Sequence, residues 1–266
     1  MPSRRHQAQQ AFRNQDLSSS KEAHSRSSIA KDFIHSEDHQ HSGKYLRDAV
    51  YGAQDGIVTT FAAISGVVGA NVNLTIILIV GLANILADGI SMAAGNYLST
   101  KSEQEYHKNE YEREKWELKK NPEGEIEEIR QIYKAKGFSG KELENAVKII
   151  TSDEDRWIKT MMLEELGISP ENKSPFRAAL VTYVAFIVCG FIPLITFIFI
   201  LFFPFVQDKA FISSIIITTL AIFVIGSLRS RFIAKHWFMA GLEMLLVAGT
   251  AAAVAYGIGF VLRDLI

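Results

Sequence analysis

Apolar residues in this chain are gathered into five blocks, at residues 45–69, 74–98, 177–203, 211–228 and 238–262. Each block is long enough to cross the hydrocarbon of a bilayer, roughly 30 Å, as a helix. Backbone N–H and C=O groups in lipid must find partners within their own segment, which leaves the helix as the form such blocks take. The expected fold class is therefore all-α: an integral membrane protein with five transmembrane helices. Whole-chain averages of 48% hydrophobic and 21% charged residues conceal this, because charge is segregated. Residues 101–173 hold 18 of the 29 acidic side chains against 14 basic ones. No basic stripe of the kind that binds nucleic acid is present.

Only Ala70, Asn71, Val72 and Asn73 separate the first two blocks, which forces a tight antiparallel hairpin. The connection between the fourth and fifth blocks carries Arg229, Arg231 and Lys235, whereas the two connections on the opposite side carry only Asp208 and Lys209. By the positive-inside rule, the N-terminus and the 101–173 insert are expected in the cytosol, and an odd number of spans sends the C-terminus to the other side. Residues 1–40 are rich in Ser, Gln and His with few large apolar residues, a composition expected to form a disordered polar tail. That tail has no apolar core of signal-peptide type, so the first block is expected to be retained as a span. Five of the seven histidines lie in or beside it, among them His35, His39 and His41. Nothing nearby fixes their geometry, and they are read as solvated. Cys189 is the single cysteine and lies in an apolar run, which excludes a disulfide within the chain and argues against a thiolate metal site. The organisation is thus tail 1–40, spans one and two over 41–100, helical insert 101–173, and spans three to five over 174–266.

From Thr100 the sequence SEQEYHKNEYEREKWELKK continues without a breaker to Asn121-Pro122, so the second span is expected to extend beyond the membrane as one long rod. Shorter helices are expected over 125–136, 140–151 and 153–166, punctuated by Gly137, Gly140 and Gly167. Their apolar stripes (Ile126, Ile129, Ile132 and Tyr133, then Leu143, Val147 and Ile150) suffice for the core of a small bundle.

Three constellations carry possible chemistry. Glu110, Glu114 and Glu117 are spaced by four and three residues, on one helical face, and Glu125 and Glu128 repeat the three-residue spacing after the turn. Stacked carboxylates repel unless a cation lies between them, although glutamates on a solvated helix beside Lys115, Lys119 and Lys120 need no ligand at all. Next, Met161, Met162, Glu164 and Glu165 combine soft thioether with hard carboxylate, a mixture suited to borderline ions such as Fe²⁺; paired methionines also serve as ordinary packing. Finally, Asp55 and Asp88 fall inside the first two apolar blocks, with Met92 one turn beyond Asp88 on the same face. A carboxylate at the centre of a membrane helix costs on the order of 2.5–3.5 kcal/mol, so it marks an ion or proton route or a structural interhelical bond. Gln54, Thr59, Thr60, Asn84, Ser91 and Asn96 widen that polar strip, and Gly52, Gly56, Gly66, Gly89 and Gly95 permit close helix packing. Glu243 lies nearer the cytosolic end, within reach of Arg229 or Lys235.

The stretches LRDAVYGAQDGIVTTFAAISGV, GLANILADGISMAAGNYLSTKSEQEY and GLEMLLVAGTAAAVAYGIG resemble the first, second and fifth spans of the vacuolar iron transporter family, and the likeness runs from Lys44 to the C-terminus. The resemblance implies a five-span homodimer that exchanges Fe²⁺, and in some members Mn²⁺, for protons. No tightly bound cofactor is implied, the metal being the cargo. It also implies a cytosolic metal-binding insert whose ligands fall here on Glu114, Glu117, Glu125, Glu128, Met161, Met162 and Glu165. Translocation in the family depends on an aspartate and a methionine that match Asp55 and Met92. Members often carry Gly-Glu-Tyr or Gly-Glu-Phe where this chain has Gly95-Asn96-Tyr97, so one carboxylate is missing. Two other readings compete with a transporter. A di-iron ferroxidase lacks its Glu-x-x-His element, because His107, the lone histidine of the insert, follows Gln104 at that spacing. A membrane-tethered metal sensor or scaffold would have no use for Asp55 and Asp88 within lipid.

Overall fold

The computed structural model describes residues 10–12, 14, 16–23, 44–169, 173–203, 210–230 and 236–265. His35, His39, His41, Asp208, Lys209, Arg231 and Lys235 lie outside the described residues. Among the described residues every regular element is helical. Within the stretch expected to be disordered, a helix of 7 residues, α1 (Leu17–Ala23), forms behind Asp16, whose carboxylate accepts from the Ser18 and Ser19 N–H groups at 2.9 and 3.2 Å.

Helices α2 (Leu46–Gly69) and α3 (Leu74–Lys120) form the hairpin. Asn71 adopts a φ of 56°, a left-handed conformation that asparagine tolerates better than most residues. Asn73 then caps α3, its side-chain oxygen accepting from the Ile76 N–H at 3.1 Å. With no proline or glycine-rich break after this cap, α3 runs for 47 residues, roughly 70 Å at 1.5 Å per residue. It stops at Asn121, where Pro122 opens α4 (Pro122–Ala135) in the first turn, a position that needs no N–H donor. The new helix therefore begins three residues earlier than the expected Glu125.

Helices α5 (Gly140–Thr151) and α6 (Glu154–Glu164) complete a small bundle against the far end of α3. Asp153 starts α6 by accepting from the Arg156 N–H at 2.8 Å, and Gly167 at φ 66° turns the chain after it. Ile129, Leu143, Val147, Ile150, Trp157 and Met161 form the buried core, flanked by Ile126, Ile132 and Tyr133. The stripes of all three short helices therefore serve packing first.

Helices α7 (Pro175–Phe202), α8 (Ala210–Arg229) and α9 (Trp237–Leu262) follow, with a short 3₁₀ turn at Arg263–Leu265. Among the described residues, four helices are long and apolar enough to cross a membrane: α3, α7 over Pro175–Ile200, α8 over Phe211–Arg229, and α9 with its turn over Trp237–Leu265. Helix α2 has 24 residues but is diluted by Arg47, Asp48, Gln54 and Asp55, and it does not reach the same apolarity. Its position compensates, because α3, α7, α8 and α9 all pack against it. Glycine makes that possible. A Cβ at Gly56 would stand 2.3 Å from the Phe186 carbonyl oxygen of α7, and one at Gly259 of α9 only 1.9 Å from the Gly66 carbonyl oxygen of α2. Backbones this close keep the polar residues of α2 among neighbouring helices.

Candidate metal-handling sites

The end of α3, the start of α4 and the end of α6 bring the glutamates together. Glu114 and Glu125 are the most enclosed, at 1% and 4% exposure, and Glu114 Oε1 and Glu125 Oε2 have no hydrogen-bond partner. Burial pushes Glu114 up to about 7; the neighbouring Arg113 opposes that rise, while Glu165, Glu117 and Glu128 add to it. Burial likewise pushes Glu125 up to about 7, helped by Glu128, Glu114, Glu117 and Glu165. Glu165, just past α6, is raised by the same two causes against the pull of Arg113. The five carboxylates thus share one electrostatic neighbourhood. They do not share a ready-made ligand set, since among the described residues no three His, Cys, Asp or Glu side chains converge closely enough to hold an ion.

Arg113 occupies the centre of charge instead. Its guanidinium donates to Glu110 at 2.9 Å and to Glu117 at 3.0 Å, and its Nη2 lies 2.9 Å from Glu114 Oε1, unaligned for a hydrogen bond. Sequence reasoning points to Lys115, Lys119 and Lys120 as counter-charges and misses Arg113. The signal for it is local: Arg113 lies three residues after Glu110 and four before Glu117, both ion-pairing distances on a helix. The methionines divide between two apolar clusters. Met161, fully buried, packs with Ile129 and Trp157, and Met162 packs with Ile158 and Ile168. Glu164 turns outward to Lys136.

A second polar column runs between α2 and α3. At its wide end is a cavity of about 660 Å³ whose walls include Asp48, Gln54, Met92, Asn96, Glu103 and Lys173. One turn deeper, Asp55 on α2 and Asp88 on α3 are each half-buried and close enough to repel one another. Asn84 donates to Asp88, and the Thr59 hydroxyl donates to the Asp55 backbone carbonyl at 2.8 Å. Glu243 on α9 lies 3.7 Å from Arg229, which also lines the cavity.

Asp48, which sequence reasoning passes over, is the most buried acid of the column, at 5% exposure. Lys173 Nζ lies 2.9 Å from its Oδ1, and the Asn96 side-chain amide donates to the same oxygen at 3.1 Å and to Thr182 Oγ1 at 2.7 Å. The signal that could have found it is periodicity, as Asp48 precedes Asp55 by seven residues and shares its helical face.

Comparison with known proteins decides the family. The profile of the VIT family matches residues 46–260, which take in both the column and the insert. The chain belongs to the VIT family. Among its curated relatives, a vacuolar iron transporter of Toxoplasma gondii is 34% identical over 267 residues, covering 97% of this chain and 88% of the relative. The vacuolar iron transporter of Plasmodium falciparum is 31% identical over 269 residues, covering 97% and 96%. Vacuolar iron transporter 1 of Arabidopsis thaliana is 32% identical over 223 residues, covering 84% and 88%. These VIT relatives are named as transporters rather than enzymes. Together with the apolar helices, membership makes this chain a multi-pass membrane protein. Within the VIT fold, Asn96 supplies what an ionised glutamate at the same position could not, a side-chain donor to the Asp48 carboxylate.

Proposed function

We propose that the chain carries Fe²⁺, with Mn²⁺ as a second cargo, out of the cytosol in exchange for protons, as a five-span homodimer. The observation that carries the reading is the column itself: Asp48 and Met92 line one cavity, and Asp55 and Asp88 lie further along the same two helices, close enough to repel one another. Carboxylates in lipid are costly, and a thioether beside them suits a borderline divalent ion. The relatives' name, vacuolar iron transporter, supports iron as the cargo.

Helix α2 serves as the fifth span in this reading, being about 36 Å long at 1.5 Å per residue and enclosed by apolar helices. Arg229 beside the cavity agrees with a cytosolic mouth. The insert then lies in the cytosol, where Glu114, Glu117, Glu125, Glu128 and Glu165 gather the ion as Arg113 swings away, with Met161 and Met162 supplying soft ligands after local repacking. Dimerisation is supported by Asp55 and Asp88 being only half covered within one chain, a state that a second copy on the α2–α3 face relieves. Asp55 and Met92 bind the ion between alternating openings, and a proton on Asp55 resets the carrier.

Proteoliposomes under an imposed pH gradient, offered Fe²⁺, Mn²⁺, Co²⁺ and Zn²⁺ in competition, test the reading. Metal flux that collapses the pH gradient is the expected result. Folded protein impermeable to all four ions would refute it.

A further inference from the structure

Lys173 occupies a place that neither the family nor the proposed route explains. It stands where the chain leaves the insert and returns to α7, and three contacts hold that point. The Lys173 carbonyl oxygen accepts from Gln104 Nε2 of α3 at 2.7 Å, the Ser174 N–H donates to Tyr45 Oη at 3.0 Å, and Lys173 Nζ lies 2.9 Å from Asp48 Oδ1. The point where the insert returns to α7 is thus tied to α3 and to the start of α2 by two backbone contacts and one ammonium group, the last at the edge of the cavity. A purely structural ion pair would be expected to satisfy its carboxylate. Asp48 instead keeps Oδ2 buried without a partner while its side chain lines the cavity. An ionised carboxylate offers about four acceptor sites, so Asp48 keeps capacity for a further cation at an oxygen that nothing else occupies.

We propose that Asp48, with Asn96 orienting it, is a divalent-cation subsite at the mouth of the column, and that the Lys173 ammonium holds it until the travelling ion displaces it. The inference rests on the transport reading above. A divalent ion has twice the charge of an ammonium, so at equal distance its attraction to Asp48 is doubled. Lysine is suited to being displaced, because its compact charge rides on a flexible four-carbon stem and the cavity gives that stem room to swing. Met92 lines the same cavity, so an ion seated on Asp48 has the thioether as its next ligand inward. Release of Lys173 also loosens the joint between insert and spans, which links arrival of the ion at the mouth to movement of the insert.

The test uses the full chain and Mn²⁺. Lysines are acetylated with a limiting N-hydroxysuccinimide ester, with and without saturating Mn²⁺, and Lys173 is quantified by mass spectrometry against exposed Lys141. Labelling of Lys173 should rise about fivefold or more with Mn²⁺, because the population shifts from paired to displaced amine. In reconstituted vesicles, Lys173→Met should lower the Mn²⁺ concentration for half-maximal flux by about fivefold, while Lys173→Arg stays within about twofold of the parent. Labelling indifferent to Mn²⁺ while Mn²⁺ flux is intact overturns the proposal and spares the transport reading. Labelling that responds to Mn²⁺ without any flux does the reverse, leaving the subsite standing and removing the transporter.

Discussion

The insert and the α2–α3 column both collect carboxylates, yet they neutralise them differently. In the insert, one guanidinium reaches three glutamates, and Glu114 and Glu125 sit near 7, poised between protonated and charged. In the column, Lys173 pairs with Asp48 at the mouth, and among the described residues no cationic side chain pairs with Asp55 or Asp88. A small helical bundle can tolerate surplus carboxylates by protonation and by sharing one arginine among them. Beyond the Lys173 pair at its mouth, the α2–α3 column offers its acids hydrogen bonds such as Asn84 to Asp88, so it gains more from an arriving cation. Under the proposed function, the difference assigns the gathering of ions to the insert and their passage one at a time to the column.

If that division is right, damage to the column should stop flux and damage to the insert should only raise the metal requirement. Met92→Ala is expected to lower Fe²⁺ flux about a hundredfold or more, through loss of the soft ligand where the ion is least hydrated. Equilibrium binding of Mn²⁺ to the insert of the same variant should not change. Equal losses in both assays would break the comparison.

Acidity separates the regions next. Glu114 and Glu125 must lose protons to bind metal, so Mn²⁺ affinity at the insert should fall about ten- to a hundredfold between pH 7.5 and pH 6. Calorimetric titration at the two pH values measures this directly. Metal-stripped protein should show the opposite trend. With folded values near 7 against an unfolded 4.5, the stabilising contribution of these groups is present below pH 4.5 and is lost as pH rises through 7. Denaturant unfolding of the insert at pH 5.5 and pH 8 should therefore find the stripped protein less stable at pH 8, by about 2 kcal/mol for each of the two groups as an upper bound. Smaller again is the effect of Glu114→Ala with Glu117→Ala on transport. The Fe²⁺ concentration for half-maximal flux should rise about tenfold, with a lesser fall in maximal rate, as expected when ion supply rather than passage is impaired.

The helices were legible because their causes are local. Apolar runs, Asn73 as a cap, Pro122 as a starter and the glycines of the insert all act within a few residues of where they stand. The glutamate cluster was legible for the same reason, since a three-residue spacing shows which side chains share a face. The opposing cations were not. Arg113 was hidden among neighbouring lysines of equal charge, and geometry alone singles it out. Lys173 meets Asp48 across 125 positions of sequence, a contact that only the return of the chain from the insert creates. Asp48 itself lies in the first turn of α2, where a charge normally marks an interface with water. The core packing of Met161 and Met162 was half legible, because a buried thioether serves a hydrophobic core and a soft ion with the same atoms.

The most direct measurement is Fe²⁺ uptake into proteoliposomes by the parent chain and by Asp55→Asn, which keeps side-chain shape and removes the charge. Rapid uptake by the parent and background uptake by the variant, with both proteins equally folded, is the predicted result. Equal uptake by the two would contradict a route through Asp55 and with it the role given to the column.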